Sequence, residues 1–135
     1  MIRKHKAAYL ARLREDADLA SRVFEGDVPP LNGEPRNRYV NVYVNSGVRR
    51  VERFMGSQSE ATFTYTVHSV SVSADAAQEL SDRVMAQTLD HVLIVEGRVC
   101  RRLIHTNSQP TAIDRDISPP LWYAVDQFDV TSSPA

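Results

Sequence analysis

The chain has 135 residues, 42% of them hydrophobic and 24% charged, and 16 basic against 17 acidic side chains leave a formal net charge of -1. Such a length fits one domain able to bury roughly 70% of its unfolded surface, and the ordinary composition excludes a chain disordered throughout. The near-neutral balance gives no whole-chain reason to expect nucleic acid or membrane as the main partner, and the lone Cys100 excludes an intramolecular disulfide and a cysteine-built zinc site.

From Lys4, the residues Ala7, Leu10 and Leu13, with Ala17 and Ala20 further on, recur at helical spacing, while Arg3, Lys6, Arg12, Arg14 and Glu15 take the other faces. This predicts an amphipathic helix, with a second short turn over Asp18 to Phe24, ended by Gly26 and by Pro29 and Pro30. The opening segment is too short and polar for a secretory signal, and no run approaches the ~20 apolar residues of a membrane span. The expectation is a protein made inside the cell. After a loop over Leu31 to Arg38, Tyr39 to Asn45 alternates: Val40, Val42 and Val44 share one face, and Tyr39, Asn41, Tyr43 and Asn45 the other.

Ser46 to Ala61 breaks every period and reads as a long loop or projecting hairpin, a length that suggests function. In Thr62 to Val72 the apolar parity changes between Val67 and Val70, which a β-bulge near His68 or Ser69 would reconcile. A helix follows from Asp75, whose carboxylate is expected to cap it with Gln78 as the reciprocal partner, and Ala77, Leu80, Val84 and Thr88 form its buried face. Val92 to Val95 is a short connection or strand, and Arg98 to Thr106 a second extended stretch. Asn107 to Pro120, with Pro110, Pro119 and Pro120, is a loop holding at most a short extended piece at Thr111 to Ile113. Leu121 to Val130 is the last strand, and from about residue 131 the chain reads as a flexible polar tail. This order predicts one α+β domain over residues 1–135: a mostly antiparallel sheet of about four strands with two helices packed on one face.

Chemistry is sparse. No phosphate-cradling, dinucleotide, nucleophile-elbow or zinc-protease motif occurs, so no catalytic, cofactor-binding or metal residue is expected. Cys100 with His68 or His105 could form a nucleophile and base pair, but a cysteine within a strand is more often an inert buried one. Asp114 and Asp116 around Arg115 could hold a cation, though two carboxylates without a third ligand read better as turn residues. Three basic clusters (Arg3 to Lys6; Arg49, Arg50 and Arg53; Arg98, Arg101 and Arg102) read as solvated or subunit-facing charge. They would bind phosphates only if they met on one surface. Val51, Phe54 and Met55, set among those arginines, suggest a surface that a partner covers.

The order of these elements resembles the tail terminator (tail completion, minor tail) proteins of long-tailed bacteriophages. The resemblance rests on the N-terminal helix ending near Val23 and Phe24, Pro29 and Pro30 before the Tyr39 strand, and the long loop. It rests also on the strand running into Ser73 to Ala77, and on Pro110 to Asp116 leading to Trp122 to Val130. It implies a non-enzymatic virion protein without cofactor, made in the host cytoplasm and placed at the neck end of the tail. There it would form a ring, usually hexameric, that caps the tail tube, stops its polymerisation and offers a surface for head joining. Its implied partners are further copies of itself, the tail tube protein and the head-tail connector or stopper, with DNA only as cargo through the lumen and no membrane. A heterologous ring needs two different patches. Tyr39 and Tyr43 with Arg49, Arg50, Val51, Arg53, Phe54 and Met55 are expected to form one, and Asp114, Arg115 and Asp116 the other. The alternatives are another neck or head-closure protein, a nucleic-acid-binding module using the arginines, and a small enzyme built on Cys100.

Overall fold

The computed structural model describes residues 1–50 and 60–135. Two helices, α1 (Ile2–Arg14) and α2 (Ala74–Thr88), accompany seven strands: β1 (Val23–Glu25), β2 (Tyr39–Val44), β3 (Val48–Arg50), β4 (Glu60–Ser71), β5 (Arg98–Cys100), β6 (Ile104–Asp114) and β7 (Leu121–Pro134). The centre is the antiparallel pair β4 and β7, in unbroken register from Ala61 opposite Ser132 to Ser71 opposite Trp122. β2 and β3 follow one another along the free edge of β4, and β5 and β6 along that of β7. β1 adds a short parallel strand outside β2.

The expected fold class is therefore corrected. The sheet has seven strands rather than about four, and it is strongly curled into a half-barrel instead of lying flat beneath two helices packed on one face. Long twisted strands rarely stay flat, and two register shifts in β6, after His105 and after Gln109, bend that edge further. β1 escaped the sequence reading because it is too short to show a period, and β3 is an arm of the stretch read as a loop or hairpin. β6 was read only in pieces around Pro110, which an edge strand tolerates because no further neighbour needs its missing N–H.

The inner face carries the core. Val40 and Val42 of β2, Ala61, Phe63, Tyr65 and Val67 of β4, and Phe128 and Val130 of β7 are all buried there. α1 meets them with His5, Tyr9 and Leu13, spaced four apart, together with Leu10, whereas Ala7, Ala17 and Ala20 of the expected stripe are exposed. Tyr9 stacks on Tyr65 with ring centres 4.3 Å apart and bonds Thr88 of α2 at 2.9 Å. The Tyr65 hydroxyl donates to the carbonyl of His5 at 2.9 Å. Each ring thus buries its apolar body and keeps its polar tip satisfied.

Four local expectations change. α2 starts one residue earlier than Asp75, and its cap is Ser73, whose hydroxyl accepts from the Ala76 N–H at 3.1 Å; Gln78 bonds Thr111 of β6 instead of closing a capping box. No bulge interrupts β4. Ser69 and Ser71 point inward and are buried, and Val70 points outward yet is only 7% exposed, because the outer face is also covered at that end. The segment read as a polar tail continues β7 to Pro134, with Ser132 fully buried. The presumed hairpin has two described arms, Val48–Arg50 and Glu60–Thr62 in antiparallel register.

Candidate interaction surface

Of the expected interface residues, Tyr39, Tyr43 and the Asp114 to Asp116 segment come together at the outer face of the sheet. Cross-strand register brings Tyr39 opposite Val70, Asn41 opposite His68 and Tyr43 opposite Thr66, then His68 opposite Val125 and Val70 opposite Tyr123. An aromatic row results. Tyr43 meets His68 edge-on at 5.1 Å between ring centres, and His68 lies parallel to Tyr123 at 6.4 Å. Burial lowers the His68 pKa, so this ring is neutral at pH 7 and acts as one more flat surface in the row.

The connection from β6 to β7 closes over the end of this row. Asp114 Oδ1 accepts from the Asp116 N–H at 3.0 Å, the local turn that these aspartates favour. It holds Asp114, Arg115, Asp116 and Ile117 along the rim of a groove of about 820 Å³ whose floor includes Tyr39, His68 and Tyr123. Tyr39 links this groove to a second, mainly apolar cleft of about 540 Å³ between two proline-bearing loops, where Pro30 and Pro35 face Pro119. Burial, then the nearby Tyr43 and Asp114, push the Tyr39 phenol up. The phenol stays protonated and can donate a hydrogen bond.

Tyr39 and the Asp114 to Asp116 segment were assigned to two separate patches, but the structure brings them to one groove. Tyr43 stands beside it, 44% exposed. Arg49 lies far from it, on the inner side at the opposite end of the sheet, in contact with Met1. Of Arg50 only the backbone pairing with Glu60 is described, and Val51, Arg53, Phe54 and Met55 lie outside the described residues. Two features had no sequence signal: the proline-bearing loop Val28 to Asn37 as a wall, and His68 as a link between two tyrosines. The second follows from register alone, since its neighbours in space come from β2 and β7.

The chemistry weighed from sequence is placed as follows. Cys100 is buried on the inner face with its thiol pushed up by burial, and His68 projects from the outer face, so those two do not meet. His105 and Ser81 both bond Asp126, at 3.1 and 2.7 Å. The carboxylate is the middle member of that trio, which ties α2 to β6 and β7. Among the described residues no group of three or more histidine, cysteine or acidic side chains is disposed to hold a metal ion.

Comparison of whole folds adds one fact. This fold occurs in a virion. Over 95% of this chain and 93% of the other, it matches a chain of the virion of a native gene transfer agent (GTA) particle, with a TM-score of 0.68 and 16% identity. A second solved chain, whose name describes no function, matches over 97% of this chain and 94% of its own, with a TM-score of 0.64 and 13% identity. At such identities the likeness is one of fold. No protein-family model and no curated protein matches the sequence.

Proposed function

We propose that the chain is a structural virion subunit of the tail-terminator kind. In this reading it forms a hexameric ring on the head-proximal end of a tail tube, stops tube polymerisation and presents the surface for head joining. The observation that carries the reading is the end-to-end match to a virion chain, 95% against 93% in coverage, which leaves little of either chain for a different architecture. It agrees with the element-by-element resemblance of the sequence to tail terminators.

The outer groove supplies a means. A tyrosine and histidine floor beside an apolar cleft is the composition of a protein interface centre, and a charged rim surrounds it. A neighbouring subunit seated there would meet Tyr39, Tyr43 and Ile117 at once. The protein then acts by shape and contact, with the tube protein, the connector and further copies of itself as partners, and DNA passing through the lumen. Light scattering of the purified protein, alone and mixed with its cognate tube protein, tests this. A defined oligomer in either sample supports the ring, and a strict monomer in both removes it. Cross-linking to the connector instead of the tube end would favour a head-closure component.

A further inference from the structure

The three basic segments of the sequence meet at one end of the sheet. Arg49 lies opposite Ala61, Ala61 opposite Ser132, and Ser132 opposite Cys100, so β3, β4, β7 and β5 share one row. Arg98 stands two residues from Cys100 on the same face, and its guanidinium donates to the Ser132 hydroxyl at 3.2 Å and to the Ser132 carbonyl at 2.7 Å. The first turn of α1 is fastened to the same spot, because His5 Nε2 bonds that hydroxyl at 2.8 Å and Arg49 contacts Met1. The turn that carries Arg3 and Lys4 is thereby held at the end where Arg49 and Arg98 lie. Arg101 follows, with its N–H on the carbonyl of Thr131 at 2.8 Å.

Arg3, Lys4, Arg49 and Arg101 are all exposed. Among the described residues, the ion pairs of these cations are weak: Lys4 and Glu96 are 3.8 Å apart with both side chains mostly in water, and Arg101 reaches Glu60 at 3.2 Å while itself 70% exposed. The opposite end carries both signs: Asp114 and Asp116 flank Arg115 on the groove, and Arg36 lines the neighbouring cleft. The aromatic rings near the basic end, Phe63, Tyr65 and Phe128, are fully buried, and the partly exposed row of Tyr43, His68 and Tyr123 is on the other face.

We propose that this basic end binds the phosphodiester backbone of a nucleic-acid duplex without reading its sequence. Arginines match phosphate with forked donors, and binding by them alone is backbone binding. Single strands are held by exposed rings on which bases stack, and this end offers none among the described residues. The proposal stands apart from the ring, because it is read on the protein as purified.

The test is binding of the full chain to a labelled DNA duplex of about 30 base pairs as salt rises from about 50 to 200 mM. Affinity should fall steeply with salt. The double variant Lys4→Gln/Arg49→Gln, both positions being exposed and its fold checked by thermal melting, should bind more weakly and with a logarithmic salt slope shallower by about two, one for each lost phosphate contact. Arg22→Gln, which removes a cation far from this end, should leave binding unchanged. No binding at the lowest salt, equal binding by the double variant, an equal loss in Arg22→Gln, or tighter binding to a single strand of the same length would each overturn the proposal.

Discussion

Gly47 joins β2 to β3 with φ at +97°, and a Cβ built on it would stand 2.6 Å from Cε1 of Phe63. Phe63 cannot yield easily, since it is fully buried and packed at 4.3 Å between ring centres against His5. Gly47→Ala is therefore expected to destabilise by roughly 2 to 6 kcal/mol, combining backbone strain of about 1 to 3 with an overpacking cost of similar size. A denaturant midpoint with unchanged slope would measure it. His5 makes a second prediction. Burial foremost, with help from nearby Arg98 and Arg49, lowers its pKa below 6.5 in the native state. As pH falls below about 6.5 the unfolded chain takes a proton that the native chain refuses, so stability declines until the lowered native pKa is reached. The melting temperature should drop between about pH 7.5 and 5.5, and His5→Leu should flatten that drop. His68 and His91 are shifted in the same direction and account for what remains.

At the scale of elements, the start of α2 distinguishes two candidate N-terminal caps, Ser73 and Asp75. Ser73 holds the Ala76 N–H, so Ser73→Ala should cost about 1 kcal/mol. Asp75→Ala should cost less, only the charge-dipole part of about 0.3 to 1 kcal/mol; equal melting temperatures for the two variants would contradict this cap. The comparison also shows what could be read in advance. The alternation of Tyr39 to Val44 placed every β2 side chain on its observed face, because a half-buried strand writes its period into the sequence. β6 was legible only as separate pieces, through Thr106 and at Thr111 to Ile113, for the opposite reason: it is an edge strand, exposed over most of its length and twice out of register, so neither burial nor alternation marks it as one strand. Ser69 and Ser71, buried on the inner face, imitated a bulge by placing polar residues where Phe63, Tyr65 and Val67 had set an apolar rhythm. The candidate groove was half legible. Its tyrosines and its Asp114 to Asp116 rim were named from residue type, but their meeting depends on β2, β4, β7 and β6 lying side by side, which local pattern cannot express.

For the whole molecule, the curled sheet leaves its inner side filled by α1 and α2 and its outer side open as an aromatic groove. Arg3, Lys4, Arg49 and Arg101 lie exposed toward one end, while the groove end carries both signs, with Arg115 between Asp114 and Asp116. A chain so arranged has distinct surfaces for different neighbours, as the proposed ring between tube and connector would require. Ile117, 43% exposed on the groove rim, offers a clean lesion: Ile117→Asp should leave the melting temperature nearly unchanged, since surface substitutions usually stay within about 0.5 kcal/mol, yet abolish oligomers seen by light scattering. Oligomers that survive it would remove the groove from the subunit contact. The ring itself is tested most directly by negative-stain imaging of the purified protein in the presence of its tube protein. Sixfold rings with a central opening, seated on tube ends, are the expected result; monomeric particles beside bare, still-growing tubes would contradict it.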